Sequence, residues 1–178
     1  MTTYCSFAPD HPVHAAYHAT EYGFPNRGET VLFERLCLEI MQAGLSWEIV
    51  LKRRDGMREA FVGWDVDSIA AMDDAEKSRL LADPRIIRNR LKVEAIVANA
   101  RVVRGLRDTD GGFAAWLDAN HPLDKAGWVK LFRSKFRFTG GEIVGEFLFS
   151  LGHLPGAHAS DCPVATRIAM LSPPWMKT

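Results

Sequence analysis

An isolated carboxylate lies on an otherwise apolar stretch of the sequence. Glu39 falls within CLEIMQAGLSW, residues 37–47, and only four of the thirteen residues from 31 to 43 are polar. A helix with so few polar positions is covered on most sides. Glu39 could therefore project into a pocket. The alternative is an ordinary ion pair with Arg35, four residues earlier on the same helical face. Periodicity alone favours that pair.

Aromatic residues could supply the remainder of a binding site around Glu39. Trp47 follows a glycine by three residues, and Tyr17, Tyr22 and Phe7 precede it in the chain. Aromatic ring faces attract positive charge, as a carboxylate does, so together these groups would suit a flat cationic ligand. Aromatic residues in the hydrophobic core are the alternative for each position.

Two cysteines and two histidines could form a tetrahedral zinc site. His18 follows Cys5 by thirteen residues, and HASDC places His158 and Cys162 four residues apart. Two Cys and two His are a common ligand set for structural zinc. The two halves are 140 residues apart, however, and histidines more often have no metal. The spacing therefore leaves both interpretations open.

A basic segment between two helical patterns is the third feature that could support function. DPRIIRNRLKVEAIVANA, residues 83–100, is similar to a helix-hairpin-helix, in which backbone N–H groups hold a DNA phosphate. The usual hairpin glycines are missing, and a solvated helix face is the alternative. If the segment does bind DNA, the contacts are expected at Arg88, Asn89, Arg90 and Lys92.

Helical periodicity runs through nearly the whole sequence and must position these residues. The strongest pattern predicts a helix over 29–43 that ends at Gly44, and Ser46 can cap a second helix reaching about Gly63. Asp65 or Asp67 can cap a further short helix. No alternating strand pattern of useful length is present. The sequence predicts one all-α domain, residues 1–178, of about nine short helices.

Composition limits the possible classes of protein. The chain is 47% hydrophobic and 25% charged, which is typical of a globular domain with a core. Lys plus Arg and Asp plus Glu both total 22, so net charge gives no support to a nucleic-acid partner. No apolar run reaches membrane-spanning length and no signal-peptide pattern is seen. These features predict a cytoplasmic protein without disulfides.

Three stretches make the sequence similar to a known family. AYHATEYGFP (16–25), LFERLCLEIMQAGLSWEIVLKRRDGMREAF (32–61) and IIRNRLKVEAIVANA (86–100) resemble the bacterial DNA-3-methyladenine glycosylase I family. KFRFTGGEI (135–143), followed by HASDC, is a weaker match. The stretch LEIMQAGLSW with its following Lys-Arg pair is the most specific of these features.

The resemblance implies a fold, a metal and a reaction. It implies a helix-hairpin-helix DNA glycosylase fold in which a structural zinc joins the two ends of the domain. The zinc ligands would be Cys5, His18, His158 and Cys162. The resemblance further implies an enzyme that excises 3-methyladenine from double-stranded DNA. Because the cationic base is already a good leaving group and no Lys nucleophile is needed, we expect a monofunctional glycosylase, and we expect it to be a monomer. Glu39 would bind the base edge, and the cage around it would comprise Trp47, Tyr17, Tyr22 and Phe7.

Several positions depart from the family pattern. Tyr22 and Phe7 stand where the family has Trp, Glu142 replaces a small hydroxyl residue, and Gly145 replaces an aromatic residue. Glu142 would repel phosphate, and Gly145 would enlarge the pocket. Two alternative functions therefore remain. One is a homologue that binds DNA without excision, and the other is a helical protein that binds a different flat cation.

Overall fold

The computed structural model describes residues 4–177, and it is helical throughout this range. Eleven α-helices are present in these residues, compared with about nine predicted. They are α1 Tyr4–Phe7, α2 Ala15–Thr20, α3 Glu29–Gln42, α4 Trp47–Ala60, α5 Val66–Ala71, α6 Asp74–Ala82, α7 Arg90–Asp110, α8 Phe113–Ala119, α9 Lys125–Lys135, α10 Gly141–Ser150 and α11 Pro163–Ala169. Three 3₁₀ turns add Ala8–Asp10, Val62–Trp64 and Pro174–Met176. The all-α prediction is confirmed.

Helix α3 forms the centre of the domain. Every residue from Leu32 to Met41 is buried, and the helix packs against α4, α7, α8 and α10. A helix that is covered on nearly all sides must also bury the polar residues it carries. These include Glu34, Arg35 and Glu39. Each of these three side chains must therefore find a partner or face a cavity.

A tight turn connects α3 to α4 and determines where Trp47 lies. Gly44 adopts a left-handed conformation, with φ of 80°, that a residue with a side chain rarely tolerates. Ser46 then caps α4 by accepting a hydrogen bond from the Ile49 N–H at 3.4 Å. The chain thus reverses within four residues, and Trp47 begins the new helix beside the end of the old one.

The second half of the domain is held by an aromatic core. Helices α8, α9 and α10, with the residue that ends α9, contribute buried rings that pack edge-to-face or stacked, with centroid separations of 5.1–6.5 Å. Such pairs stabilise a core beyond the area they bury. They hold α10 against α8 and α9, and α10 carries one wall of the candidate site.

Helices α6 and α7 are joined by residues 83–89, the segment predicted to contact DNA. Asn89 caps α7 by accepting a hydrogen bond from the Lys92 N–H at 3.1 Å. Arg53 of α4 donates to the backbone oxygens of Pro84 and Ile86 and so holds the turn against the domain. Within residues 4–177, no helix has the length and apolar character needed to cross a membrane.

Candidate functional site

A cavity of about 270 Å³ opens between α2, the α3–α4 turn and α10. Its walls are aromatic and it contains two carboxyl groups, a composition suited to a flat ligand with positive charge. Four of its residues were predicted as site residues from the aromatic and acidic pattern of the sequence. The complete lining is Tyr4, Tyr17, Tyr22, Glu39, Gln42, Trp47 and Glu146.

Glu39 lies in this cavity without a hydrogen-bonding partner. It is only 5% exposed, and its carboxylate accepts no hydrogen bond from the residues that the structure describes. Burial raises its pKa well above the ordinary value, Glu146 raises it further, and Arg35 opposes both. Arg35 does not pair with it directly, because its guanidinium donates to the backbone oxygen of Ser150. The simple Arg35–Glu39 ion pair is therefore not formed.

Trp47 and Tyr17 form an aromatic corner beside Glu39. Their ring centroids are 5.2 Å apart and the planes are inclined at 58°. Tyr17 is buried, whereas Trp47 is half-buried at the start of α4. One face of a planar ligand could therefore stack on the indole while its edge reaches the carboxyl group.

Tyr22 and Glu146 form the opposite side of the cavity. The Tyr22 hydroxyl donates a hydrogen bond to Oε2 of Glu146 at 3.0 Å. Burial and the neighbouring Glu146 carboxylate both raise the pKa of Tyr22, so the hydroxyl keeps its proton. Glu146 was not predicted from the sequence. It gives the cavity a second carboxylate, which increases its attraction for a cation.

Phe7 does not line the cavity, which corrects its predicted place in the cage. It is 41% exposed and packs against Tyr4 and His14 instead. Tyr4 lines the cavity instead of Phe7, and its ring centroid lies 5.4 Å from that of Tyr22. Sequence reasoning missed Tyr4 because the short helix α1 gives no periodic signal.

The two cysteines and two histidines predicted as metal ligands lie together. Their ligand atoms are all within 4.8 Å of one another. Individual separations are 3.4 Å from Cys5 Sγ to His158 Nδ1, 3.7 Å from Cys162 Sγ to His158 Nδ1, and 3.8 Å from Cys162 Sγ to His18 Nε2. Bonds of 2.0–2.3 Å to a tetrahedral ion would place ligands about 3.3–3.8 Å apart. This group could therefore hold a metal.

A hydrogen bond joins this Cys–His cluster to the cavity. Nε2 of His158 lies 2.7 Å from the backbone oxygen of Tyr22, so this nitrogen carries the proton and donates it. Nδ1 is left free to face the cysteines. Because Tyr22 also lines the cavity, this hydrogen bond connects the cluster to one of the cavity walls.

The structure separates the four predicted DNA-contact residues into two groups. Arg88, Asn89 and Arg90 are exposed, and neither arginine side chain makes a hydrogen bond or ion pair with another described residue. Lys92 is 4% exposed and donates to the backbone oxygens of Met41 and Ala43 at 2.8 and 2.7 Å. Its ammonium group is not available to a phosphate, so the prediction for Lys92 was wrong.

The effects expected from Gly145 and Glu142, two positions that differ from the family pattern, are not observed. A Cβ on Gly145 would lie 2.6 Å from Cε of Lys125, and Gly145 does not line the cavity. The glycine therefore makes room for a lysine rather than enlarging the pocket. Glu142 pairs with the same lysine at 3.2 Å, which offsets its negative charge.

A larger cavity of about 640 Å³ lies elsewhere, between the start of α3, α8 and the last residues of the chain. It contains the buried His153 but no aromatic cage and no buried carboxylate. Size alone does not identify a ligand site. The smaller cavity is the stronger candidate because aromatic rings and carboxylates converge there.

The fold and the cavity define a helical protein with a base-sized aromatic and acidic pocket and a Cys–His cluster. The profile of the methyladenine glycosylase family matches residues 7–130 of this chain. DNA-3-methyladenine glycosylase of Haemophilus influenzae is 34% identical over 93% of the chain and all of its own length. DNA-3-methyladenine glycosylase 1 of Escherichia coli is 40% identical over 66% of the chain and 64% of its own length. The chain belongs to the methyladenine glycosylase family.

Solved structures agree with this assignment. A crystal structure of 3-methyladenine DNA glycosylase I has a TM-score of 0.81 and 31% identity, and the alignment covers 89% of this chain and 97% of that one. The Staphylococcus aureus enzyme, determined in a study of 3-methyladenine recognition, has a TM-score of 0.81 and 29% identity over 92% and 96% of the two chains. The fold is therefore that of these glycosylases.

Proposed function

We propose that this protein is a DNA-3-methyladenine glycosylase, which hydrolyses the N-glycosidic bond of alkylated purines in DNA. The observation that carries the proposal is Glu39, a buried carboxyl group that faces an aromatic cavity and has no hydrogen-bonding partner within residues 4–177. Burying such a group is costly unless a ligand supplies the missing partner. The named relatives favour excision over DNA binding without catalysis and over a different cationic ligand.

The proposed ligand is an adenine that methylation at N3 has made cationic and that has rotated out of the duplex. Trp47 stacks on one face of the base, while Tyr17 and Tyr22 enclose it. Glu39 accepts hydrogen bonds from the base edge. Tyr4 and Glu146 extend the attraction for positive charge. Neutral adenine would gain much less from this environment, so discrimination against the normal base rests on charge.

The reaction needs little assistance because the cationic base is already a good leaving group. The bond between the base nitrogen and the sugar C1′ breaks, and its electron pair neutralises the base. A water then adds to C1′ and loses a proton, which leaves free 3-methyladenine and an abasic site. No lysine nucleophile is required, so the enzyme is monofunctional. Glu39 binds and orients the base in this scheme.

A structural zinc fits the Cys–His cluster of Cys5, His18, His158 and Cys162. The cluster offers two thiols and two imidazoles at tetrahedral separations, and the Tyr22 backbone already fixes His158 in the orientation a ligand needs. Burial lowers the pKa of both histidines, which favours the neutral imidazole that metals bind. Four protein ligands leave no position for a reacting water, so the metal stabilises the fold.

The exposed end of α7 is the proposed contact with duplex DNA. The turn before it follows α6 in the manner of a helix-hairpin-helix. Arg88 and Arg90 flank Asn89 at the N-terminus of a 21-residue helix, where backbone N–H groups and the helix dipole favour an anion. A phosphate bound here would be recognised without regard to base sequence. We expect the protein to act as a cytoplasmic monomer.

The direct test is release of free base from methylated duplex DNA. The wild-type protein should release 3-methyladenine, whereas unmethylated DNA should release no adenine. Glu142→Gln is the matched control, since this carboxylate is exposed on α10 and pairs only with Lys125 among the described residues. If methylated DNA is bound but no base is released, the excision function is wrong.

Metal analysis tests the zinc separately. Carefully purified protein should contain zinc in the Cys–His cluster, and Cys162→Ser should lower both metal content and thermal stability. Full thermal stability after removal of all zinc would contradict a structural role.

A further inference from the structure

Three metal-ligating side chains meet beside the cavity but outside the Cys–His cluster. His11, His14 and Glu48 each bring one ligand atom within 4.8 Å of the others. The two imidazole centroids are 4.6 Å apart, with planes inclined at 75°. His14 is buried and the other two are half-buried. Nothing in the proposed excision reaction uses these residues.

The surrounding contacts orient both imidazoles. The Val13 N–H donates to Nδ1 of His11 at 3.2 Å, and the Tyr4 hydroxyl lies 3.3 Å from Nδ1 of His14. The Tyr4 hydroxyl can accept a hydrogen bond from Nδ1–H of His14, which leaves Nε2 of that ring to bind an ion. Nδ1 of His11 accepts a hydrogen bond and so carries no proton, and an ion bound at this ring would take Nδ1 in place of the Val13 N–H. Metal-ligating histidines are commonly oriented by a hydrogen bond at the other ring nitrogen.

We propose that His11, His14 and Glu48 form a second metal site, which takes a divalent transition ion such as Zn²⁺, Ni²⁺ or Cu²⁺. Two imidazoles and one carboxylate suit this class of ion better than Mg²⁺ or Ca²⁺, which prefer oxygen ligands. Three protein ligands leave one coordination position open to water. The ion would connect the segment before α2 to the first turn of α4.

The second site binds its ion less tightly than the Cys–His cluster. It has one ligand fewer and no thiolate, and Glu48 already forms an ion pair with Lys52 at 2.6 Å. An incoming ion must displace that ammonium group. The site is therefore exchangeable, and its occupancy follows the concentration of free metal. It also adjoins the cavity, because Tyr4 contacts His14 and Glu48 follows Trp47 directly.

Calorimetric titration with Ni²⁺ tests the site, with the zinc content of the protein measured before and after. Wild-type protein should bind Ni²⁺ without releasing zinc. Glu48→Gln and His14→Ala should each weaken that binding by at least about tenfold. Lys52→Ala should strengthen it, because the competing ammonium is removed. His121→Ala is the matched control, since His121 belongs to neither metal-ligating group found in the described residues.

Glu48→Gln is the most informative variant. It replaces a half-buried carboxylate in the first turn of α4 by an amide of the same size, so we expect the protein to fold normally. An isotherm unchanged in Glu48→Gln would overturn the proposal. Ni²⁺ uptake that occurs only as zinc leaves would also overturn it, since the ion would then be entering the Cys–His cluster.

Discussion

Two glutamates five residues apart on α3 are both buried, and their environments are opposite. Glu34 accepts hydrogen bonds from Arg54 at 2.9 Å and from Arg58 at 2.7 and 2.8 Å. Glu39 has no such partner among the residues that the structure describes, and it faces the cavity. One helix thus carries a carboxylate that holds α4 in place and another that is left for a ligand.

The contrast shows how a buried carboxylate that stabilises the fold can be distinguished from one that binds a ligand. Burial alone does not distinguish the two glutamates, because both are at most 5% exposed. The difference is whether the fold supplies the compensating positive group. In the part of the chain that the structure describes, the ionisable groups that interact with Glu39 are Glu146, Tyr17, Tyr22 and Arg35, and of these only Arg35 is a cation. The missing charge must come from outside.

The largest effect on stability is expected from Glu34→Ala. It leaves two arginine side chains without their shared carboxylate, one of them largely buried, and should cost about 3 kcal/mol of unfolding free energy. Chemical denaturation measures this. Binding of 3-methyladenine by the remaining folded protein should be unchanged. A loss below about 1 kcal/mol would show that Glu34 contributes no more than a surface pair.

Glu39→Gln should weaken ligand binding, whereas Glu34→Ala should lower stability and leave ligand binding unchanged. Loss of a charge-assisted hydrogen bond should weaken binding of 3-methyladenine by roughly 1.5–3 kcal/mol, or about one to two orders of magnitude. Fluorescence titration with 3-methyladenine and with adenine measures this, since stacking on Trp47 quenches emission. Equal binding of both bases by both proteins would mean that Glu39 does not recognise the base.

The same variant should show a characteristic dependence of stability on pH. The folded-state pKa of Glu39 lies above its unfolded value of about 4.3, so the folded protein holds this proton more tightly. Wild-type stability should therefore fall relative to Glu39→Gln as pH rises between these two pKa values. Parallel stability curves from pH 4 to pH 8 would contradict an unpaired carboxyl group.

A smaller effect is expected from Glu146→Gln. The substitution removes one of two carboxylates from the cavity but keeps an acceptor for the Tyr22 hydroxyl. Affinity for 3-methyladenine should fall by less than about tenfold, or about 1.4 kcal/mol, because the change removes a negative charge but no hydrogen bond. The pKa of Glu39 should also fall, because the repulsion between the carboxylates is lost. Glu142→Gln, on the same helix but outside the cavity, should change neither quantity.

The smallest effects concern DNA affinity. Arg88→Ala and Arg90→Ala should each lower the salt slope of log affinity by about 0.9. Lys92→Ala should leave the slope unchanged and instead destabilise the protein, because it removes two hydrogen bonds to the end of α3. A reduced slope for Lys92→Ala with normal stability would place its ammonium group on DNA after all.

Local patterns in the sequence were sufficient for much of the fold. The predicted helix over 29–43 is observed as Glu29–Gln42, and Asp65 caps α5 as expected. Hydrophobic periodicity and capping residues act within a few positions, so they can be read without tertiary information. The same holds for Trp47, which the Gly44 turn presents beside Glu39.

Contacts between distant segments explain what the sequence analysis missed. Tyr4 and Glu146 are 142 residues apart, and only the packing of α1 and α10 brings them to one cavity.

The burial of Lys92, in contrast, could have been predicted from the sequence. Lys92, Ile96, Asn99 and Val103 follow helical spacing and all are buried, so periodicity already placed this lysine on the inner face of α7.

Lys92 also has a consequence for how a lesion is located along DNA. Its ammonium group joins the first turn of α7 to the last carbonyl groups of α3, immediately before the turn that leads to Trp47. A phosphate held by Arg88 and Arg90 would therefore lie at a fixed distance from the pocket that receives the base. Because this distance is fixed, the base that enters the pocket would be the one that lies a set number of nucleotides from the bound phosphate. Because phosphate contacts do not depend on base sequence, that spacing would be the same at every position along the duplex.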